Sequence, residues 1–473
     1  CNSAGETHAW FDSRVAHHES RILEAVRSSG GGNSRVTPGA YLWRCRHRRM
    51  VVSGKDDTVS RARLHGESMT RQFHLFDEDR TVDLAGDLRR FAGYGTATEV
   101  SSVDGVPYFI NEFWTSRQRQ AHRIHEISYR ACFKPQLPAF FIERLSVPGD
   151  IVYDPFMGRG TTPVEAALRC RVPYGNDTNP LSRIFVEARI NPPALAAVQS
   201  RLKQVPWDRF SGYAHEELLV FYHPETLAHI EGLRAWLLER EARGVLDEAD
   251  RWIRMVAVNR LTGHSSGFFS VYTLPPNQAV SVESQRKINE KRRQVPPFRD
   301  VAAIIAKKSK TLLADGGPNS AESLFLTRQS HETDAIPEGR VTLTVTSPPF
   351  LDIVNYEADN WLRCWFVGVD PRDVRISRHR NVDDWQAFTR STLVELARVT
   401  RPGGHIAFEV GEVRNGTVRL EENVIAAAKG LPLRTIGVMV NDQAFTKTSN
   451  CWGVANNKGG TNTNRIVIFK REA

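Results

Sequence analysis

The sequence predicts an α/β protein whose mostly parallel, twisted sheet carries helices on both faces. Three observations favour this class. Residues 150–177 run as strand, glycine-rich loop, helix and second strand, the order of a nucleotide-binding βαβ unit. Residues 321–471 alternate strands with helices again, and the stretch between these two regions is largely helical. We therefore predict one sheet domain interrupted by a helical insertion.

The first half of the sheet domain starts with a helix. Residues 137–150 place apolar side chains at helical spacing and end in a Pro-Gly turn. The segment DIVYDPFMGRGTT is a short apolar strand that ends in an acid and a glycine loop. Pro163 then falls in the first turn of a helix, where proline is tolerated. A second strand, VPYGND, ends at Asp177.

The second half contains four strands and two helices in the prediction. The strands are ESLFLTRQ, VTLTVTSPPF, HIAFEV and RIVIFKR, and the helices are WQAFTRSTLVELARVT and a segment near ENVIAAAKG. Pro348 and Pro349 fix φ near −65° and donate no N–H, so the strand VTLTVT must end there in a stiff segment.

Composition shifts divide the chain into five regions. Residues 1–68 are rich in Ser, Gly, Arg and His without periodicity, which predicts a poorly ordered leader, and Met69 resembles a natural start. The regions that follow are an N-terminal extension (69–130), the first part of the sheet domain (131–199), the insertion (200–315) and the second part of the sheet domain (316–473).

Composition also limits the class of protein. The 473 residues are 41% apolar, with no signal peptide and no apolar run near the roughly 18 residues that span a bilayer. We therefore expect a soluble, cytoplasmic protein with no membrane partner. Six cysteines form no CxxC pair, so no metal site is predicted. The net charge of +9 favours a polyanionic partner, although a solvated basic surface would give the same charge.

The glycine loop is the first candidate site. Gly158 and Gly160 permit a tight turn and close backbone approach to a ligand at the start of a helix. The loop is not a complete dinucleotide fingerprint, because Pro163 replaces the third glycine. Asp154 and Asp177, at the ends of successive strands, suit hydroxyl or ammonium partners of a nucleoside ligand that carries an amino acid part.

Several motifs together carry a family resemblance. DPFMGRGTT, GNDTNP and TSPPF, with FKPQLPAFFIERL, NWLRCWF, RPGGHIAFEVGEV and GGTNTNRIVIFKR around them, resemble the DNA amino-methyltransferases. The resemblance runs from about residue 107 to the C-terminus. It implies a Rossmann-like class I methyltransferase fold, S-adenosylmethionine as cofactor and double-stranded DNA as substrate, and a prokaryotic cytoplasmic or nucleoid location. A cognate restriction endonuclease is a partner that such enzymes can have.

The resemblance also assigns cofactor-binding residues. It implies that Asp177 accepts the ribose hydroxyls and that Asp154 lies near the methionine ammonium. The remaining residues would surround the methionine part of the cofactor: Phe133, Pro135, Phe156, Gly158, Gly160, Thr161 and Thr162. The family often has an acid near the adenine, and this chain has Gln329 or Ser330 at that place.

The motif SPPF would be catalytic. A base amine is a poor nucleophile, because its lone pair is delocalised into the ring. Hydrogen bonds to the Ser347 hydroxyl and the Pro348 carbonyl would direct that lone pair at the methyl group. Pro349 would stiffen the segment, and Phe350 would stack on a base extruded from the duplex.

The serine of the motif favours one target base. Ser347 resembles the cytosine-N4 branch, whereas Asp or Asn is commoner in the adenine-N6 branch. Methylation at cytosine C5 is disfavoured, because it requires a nucleophilic cysteine and the chain has no Pro-Cys dipeptide. Adenine N6 stays open as the alternative target.

The insertion is the candidate DNA reader. Residues 286–310 hold nine Lys or Arg and two acids, and we predict phosphate contacts by Arg292, Arg293, Lys307 and Lys308. A charged helix face would explain the same residues. GHSSGFFSVY (263–272) could approach base edges or be buried core, and Trp361 and Trp365, four apart, fit helix core packing better than a base clamp.

Three other functions remain open. An RNA methyltransferase that acts on a base amine shares the glycine loop and the Pro-Pro-aromatic motif. A glutamine-directed protein methyltransferase shares the pocket, although the basic insertion disfavours it. A catalytically inactive DNA-binding protein on this scaffold is the candidate from a different class, and S-adenosylmethionine binding would distinguish it.

Overall fold

The computed structural model describes residues 83–114, 121–129, 132–273, 279–349, 356–374, 379, 381–413, 418–442 and 463–473. By its internal contacts the chain divides into residues 1–68 and 69–473. The leader predicted over residues 1–68 lies outside the described residues, and so does Phe350. No helix in the described ranges is both long and apolar enough to cross a membrane.

Nine of the described strands form one sheet, and two short strands form a separate hairpin. The strands are β1 (Glu99–Val103), β2 (Val106–Asn111), β3 (Ile151–Asp154), β4 (Val172–Asn176), β5 (Leu324–Leu326), β6 (Val341–Thr346), β7 (Thr400–Val410), β8 (Glu412–Val413), β9 (Val418–Arg419), β10 (Leu433–Asp442) and β11 (Thr463–Arg471). The sheet order is β1-β2-β10-β11-β7-β6-β3-β4-β5.

Helices cover the sheet and build the insertion. They are α1 (Leu84–Arg90), α2 (Gln136–Leu145), α3 (Thr161–Leu168), α4 (Pro180–Ile190), α5 (Leu195–Gln204), α6 (Pro224–Ala242), α7 (Glu248–Val258), α8 (Val282–Arg292), α9 (Val301–Leu312), α10 (Tyr356–Phe366), α11 (Val382–Val399) and α12 (Leu420–Ala427). The insertion predicted over residues 200–315 thus contains helices and no strand of the main sheet among its described residues.

The strand order has a topological switch point at β3. The parallel strands β4 and β5 lie on one side of β3, and β6 and β7, also parallel, lie on the other. The chain adds β4 and β5 on one side of β3 and later adds β6 and β7 on the other side. This Rossmann-like order confirms the predicted fold class. In such sheets, ligands bind in the crevice at the carboxyl ends of the strands on either side of the switch.

Both faces of the sheet are buried. On one face, α1 and α2 pack against side chains such as Val152 and Leu343. On the other face, α11 and α12 pack against side chains such as Tyr153 and Phe408. The four residues of β3 are all buried, as expected for a central parallel strand covered by helices.

Three strands of the sheet were not predicted. β1 and β2 form an antiparallel hairpin at one edge, and β10 pairs in parallel with β2. The hairpin turn is Asp104-Gly105 with φ of 49° and 80°, and an Asp-Gly dipeptide is a sequence indication of such a turn. β10 is interrupted by a register shift between Thr435 and Gly437, which hides the alternation expected of a strand.

Candidate active site

The two motif loops lie side by side at the switch point. The glycine loop follows β3, and Ser347-Pro348-Pro349 follows β6. These two strands pair in parallel through Val152 and Leu343, so both loops leave the sheet at the same edge. The 186 residues that separate Gly160 from Ser347 in sequence are therefore bridged by one strand pairing.

The glycine loop is held by the strand beside it. The Met157 N–H donates to the Asn176 carbonyl at 2.9 Å, and the Gly158 N–H donates to Asp177 Oδ2 at 2.8 Å. Gly158 and Gly160 have φ of 47° and 81°. A Cβ on Gly160 would lie 2.1 Å from Val186 Cγ2, so glycine is required there for packing as well as for conformation.

Asp154, the last residue of β3, is hydrogen-bonded to the end of β6. Its Oδ1 accepts hydrogen bonds from Thr346 Oγ1 at 2.6 Å and from the Phe156 N–H at 3.0 Å. The side chain is buried, and burial raises the pKa of its carboxyl to about 7. The role predicted for Asp154 at the methionine ammonium stays a prediction, and its observed contacts tie the two motif strands together.

Asp177 lies at the end of β4 and is only partly buried. Oδ1 accepts from the Asn179 N–H at 2.8 Å, and Oδ2 accepts from the Gly158 N–H. Burial raises the pKa of this carboxyl, and the two backbone donors and the Ser182 side chain oppose the shift. The two carboxylate oxygens together offer about four acceptor positions, so Asp177 can still accept a ligand hydroxyl.

The other predicted cofactor residues surround this loop. Thr162 Oγ1 donates to the Val345 carbonyl at 3.0 Å, so it links α3 to β6. Arg159 Nε donates to Thr161 Oγ1 at 3.1 Å, and its Nη2 donates to the Phe133 carbonyl at 3.1 Å. Pro135 is buried at the start of α2. The structure thus brings Phe133, Thr161 and Thr162 into contact with the glycine loop or with β6 beside it.

A buried acid that the sequence reasoning missed contacts Ser347. Glu409, near the end of β7, is 5% exposed. Its carboxyl forms hydrogen bonds with the Ser347 side chain and with Asn464 Nδ2, the latter at 2.9 Å. Burial raises the pKa of this carboxyl, and the two hydrogen bonds oppose the shift. An acid within the apolar run HIAFEV was the available indication, because unpaired acids are rarely buried.

Helix α11 supports the second motif loop. Trp385 is fully buried, and its Nε1 donates to the Pro349 carbonyl at 2.8 Å. One turn later, the Phe388 ring lies 5.7 Å from the ring of Phe156 in the glycine loop. This helix therefore contacts both loops and fixes the Pro-Pro segment from one side.

The candidate DNA contacts of the insertion differ in exposure. Arg292, Arg293 and Lys307 are exposed, and the Arg292 guanidinium lies 3.8 Å from the centroid of the Tyr272 ring. Lys308 is buried, with a side chain that is 8% exposed and an ammonium 2.5 Å from Glu126 Oε1. We therefore withdraw Lys308 as a phosphate contact, since its charge is already paired inside the protein.

Two aromatic segments are core. Phe268, Phe269 and Val271 are buried, so this part of the GHSSGFFSVY segment cannot approach base edges. Trp361 and Trp365 pack against the same hydrophobic cluster from helix α10, as the four-residue spacing predicted.

Comparisons with known proteins match the N-terminal part of this site. Residues 93–181 match the sequence model of a family described as DNA methylase, of the N6/N4 methyltransferase type. The Type II methyltransferase M.MvaI of Kocuria varians is 33% identical over 112 residues, 23% of each chain. The Type II methyltransferase M.MjaII of Methanocaldococcus jannaschii is 36% identical over 74 residues, 16% of this chain and 14% of that one. The matched segments are thus less than a quarter of these relatives' lengths.

Two solved structures are also similar. An rRNA methylase from Streptococcus thermophilus has 8% identity and a TM-score of 0.29, with 72% of this chain and 99% of that chain covered. TrmN from Thermus thermophilus has 11% identity and a TM-score of 0.27, with 72% and 50% covered.

The sheet order and the two adjacent loops define a class I methyltransferase fold. Within the chain, residues 93–181 match the sequence model of the N6/N4 DNA methylase family. S-adenosylmethionine is the cofactor of this family.

Proposed function

We propose that this chain transfers a methyl group from S-adenosylmethionine to the exocyclic amine of a base extruded from double-stranded DNA, with cytosine N4 as the target. One observation supports this most strongly. Ser347-Pro348-Pro349 lies beside the glycine loop at the switch point, and a buried carboxyl contacts the Ser347 hydroxyl. Adenine N6 is the alternative target. The Type II designation of two relatives supports a cognate restriction endonuclease as partner.

The residues around the glycine loop suit the cofactor. A Cβ on Gly158 would be in ordinary van der Waals contact with Tyr129 Cε1 at 3.7 Å and Cys132 Sγ at 3.8 Å, so glycine is required there for its φ of 47° and not to avoid a clash. Asp177 retains acceptor capacity for ribose hydroxyls, and Phe156 offers a half-buried apolar ring. When bound, S-adenosylmethionine supplies an electrophilic methyl group on a sulfonium.

Ser347 and Pro348 would bind the target amine. The Ser347 hydroxyl donates a hydrogen bond to the Glu409 carboxyl. The lone pairs of Ser347 Oγ are therefore free to accept one amine hydrogen. The Pro348 carbonyl accepts the other, and the amine lone pair then points away from both acceptors. This is a positioning and electrostatic contribution, which needs rigid acceptors.

The same contacts provide a path for the proton that the amine must lose. Ser347 Oγ accepts that proton as its own hydroxyl proton passes to the Glu409 carboxylate. A carboxyl whose pKa is raised by burial is a better proton acceptor than an ordinary glutamate at neutral pH. These two proton transfers create no new buried charge, because the Glu409 carboxylate is neutralised as the amine loses its proton.

The target amine is paired inside the duplex, so the base must be extruded to reach Ser347. Stacking of that base on Phe350 remains part of the proposal and concerns a residue outside the described ranges.

The first test identifies the product. Purified protein is incubated with S-adenosylmethionine and mixed-sequence duplex DNA, and the digested nucleosides are analysed by mass spectrometry. We expect N4-methylcytosine, and Ser347→Ala should lower the rate by about 100-fold or more, because it removes a rigid acceptor of the amine. N6-methyladenine would move the proposal to the alternative target.

If neither nucleoside forms while the cofactor binds, RNA substrates become the next choice. Failure with RNA as well would favour a scaffold that has lost its chemistry.

The second test concerns DNA binding by the insertion. Arg292 and Arg293 are exposed at the end of α8, where we propose that they contact phosphates. Reversing both charges should weaken duplex binding and flatten its dependence on salt, while leaving cofactor affinity unchanged. The matched control is the reversal of Arg89 and Arg90, two adjacent exposed arginines on α1. Equal losses in both variants would mean that only net charge matters.

A further inference from the structure

The insertion carries an exposed apolar turn that the site described above does not use. Between α8 and α9 the chain reads Gln-Val-Pro-Pro-Phe-Arg, residues 294–299, which we call the VPPF turn. Val295 is 83% exposed and Phe298 is 46% exposed. Val295 is the most exposed of the large hydrophobic side chains in the described ranges.

The turn is held rigid at both ends. At its start, Gln294 Nε2 donates to the Tyr272 carbonyl at 2.9 Å and to Asn289 Oδ1 at 2.8 Å. At its end, the Arg299 N–H donates to Thr226 Oγ1 at 2.8 Å, and that hydroxyl donates back to the Arg299 carbonyl. Two consecutive prolines restrict the middle. The apolar tip is thus presented in a fixed position, and its binding would cost little ordering entropy.

Exposed cations lie on the helix that precedes the turn. The exposed side chains Arg286, Lys287, Lys291, Arg292 and Arg293 belong to α8 or follow it directly. Within the described residues, none of the five forms a salt bridge. A rigid apolar tip beside exposed cations that have no acidic partner among the described residues matches duplex DNA, whose grooves offer apolar base and sugar edges between two rows of phosphates.

The turn belongs to the same structural unit as the helix that follows the SPPF motif. Trp361 of α10 donates from Nε1 to the Ala279 carbonyl, just before α8, at 3.3 Å. Helix α8 has 11 residues, so it extends about 16 Å from that contact to the turn. Helix α8 therefore joins the VPPF turn to the helix that follows the SPPF motif.

We propose that the VPPF turn inserts Val295 and Phe298 into a groove of duplex DNA while the cations of α8 contact the flanking phosphates. This inference rests on the proposed function and adds an apolar contact to it. An apolar contact contributes to affinity without releasing counterions, whereas each phosphate contact does release them. The two kinds of contact are therefore distinguishable by salt titration.

The test measures binding of mixed-sequence duplex DNA at several salt concentrations in the presence of S-adenosylhomocysteine. Val295→Ser should lower the affinity about tenfold and leave the slope of log K against log salt unchanged. Arg292→Ala should reduce the magnitude of that slope by about 1. The control is Val147→Ser. Val147 is 52% exposed and lies in the turn before β3, at the end of that strand opposite to the glycine loop.

Three outcomes would overturn the inference. Unchanged affinity in Val295→Ser removes the apolar contact, and an equal loss in Val147→Ser shows that the effect is not specific to the turn. The third outcome is measured by light scattering. If the wild-type protein self-associates, and Val295→Ser abolishes this self-association without changing DNA affinity, the turn binds a second copy of this chain. If the wild-type protein binds cofactor but no duplex at low salt, the proposed function itself has failed.

Discussion

Two buried carboxyls join the central strands to the site, one on each side of β6. Asp154 accepts from Thr346, and Glu409 accepts from Ser347, the next residue. The acids come from the two strands that pair with β6, Asp154 from β3 and Glu409 from β7, so the end of β6 is tied to both of its neighbours. A loop held from both neighbouring strands can present a carbonyl and a hydroxyl in one geometry, as the proposed chemistry requires.

The raised pKa of Asp154 predicts a pH dependence of stability. The unfolded carboxyl loses its proton near pH 4, whereas the folded one keeps it to about pH 7. Between these values the unfolded state binds fewer protons, so the free energy of unfolding falls as pH rises and becomes flat above about pH 7. Urea unfolding of wild type and Asp154→Asn across this range measures the effect.

Asparagine keeps the acceptor oxygen that contacts Thr346 and the Phe156 N–H, so the variant should fold. We expect the difference between the two proteins to shift in favour of Asp154→Asn as pH rises. A difference that is constant over the range would mean that Asp154 has an ordinary pKa.

At the scale of elements, helix α11 acts as a support for the Pro-Pro segment. Replacing Trp385 with Phe removes the hydrogen bond to the Pro349 carbonyl and leaves a small cavity. We expect a loss of stability of about 1–3 kcal/mol and a larger relative fall in kcat than in cofactor affinity, because the carbonyl and hydroxyl acceptors lose their fixed position.

Trp252→Phe is the matched control for that variant. Trp252 is also fully buried, and its Nε1 donates to Ser309 Oγ at 2.9 Å within the insertion. A similar loss of stability with little change in kcat is expected there. Equal falls in kcat in both variants would reduce Trp385 to a general packing residue.

Local patterns were sufficient for the elements that build the site. The apolar run IVYD, the glycines after it and the two prolines after VTLTVT each have a direct backbone consequence, and they predicted β3, its loop and the end of β6. Strand β10 could not be found in this way, because its burial depends on the pairing with β2 and β11.

The same limit applies to single side chains. Lys308 was predicted as a phosphate contact from the local charge run. Its position three residues after Ile305, which is buried, indicates the inner face of α9. Only the helical period reveals this. Glu126, its partner, lies 182 residues away in sequence, and no local pattern could identify that pair.

At the scale of the whole molecule, a short segment links the parts of the chain. Residues 121–129 contact the glycine loop through Arg159 and Ile127, α9 through Glu126 and Lys308, and α10 through Ser128 and Arg363. The cofactor site, the insertion and the helix after SPPF are therefore connected through one segment that precedes all three in sequence.

The position of β11 has a consequence for synthesis of the protein. This strand is the last described element in sequence, yet it lies inside the sheet between β7 and β10. A nascent chain that has emerged only as far as β10 therefore has two exposed strand edges and a sheet in two pieces. Exposed edges pair readily with other chains. Chains at this stage of synthesis should accordingly be the species most dependent on chaperones, and the sheet becomes continuous only when β11 has emerged and paired.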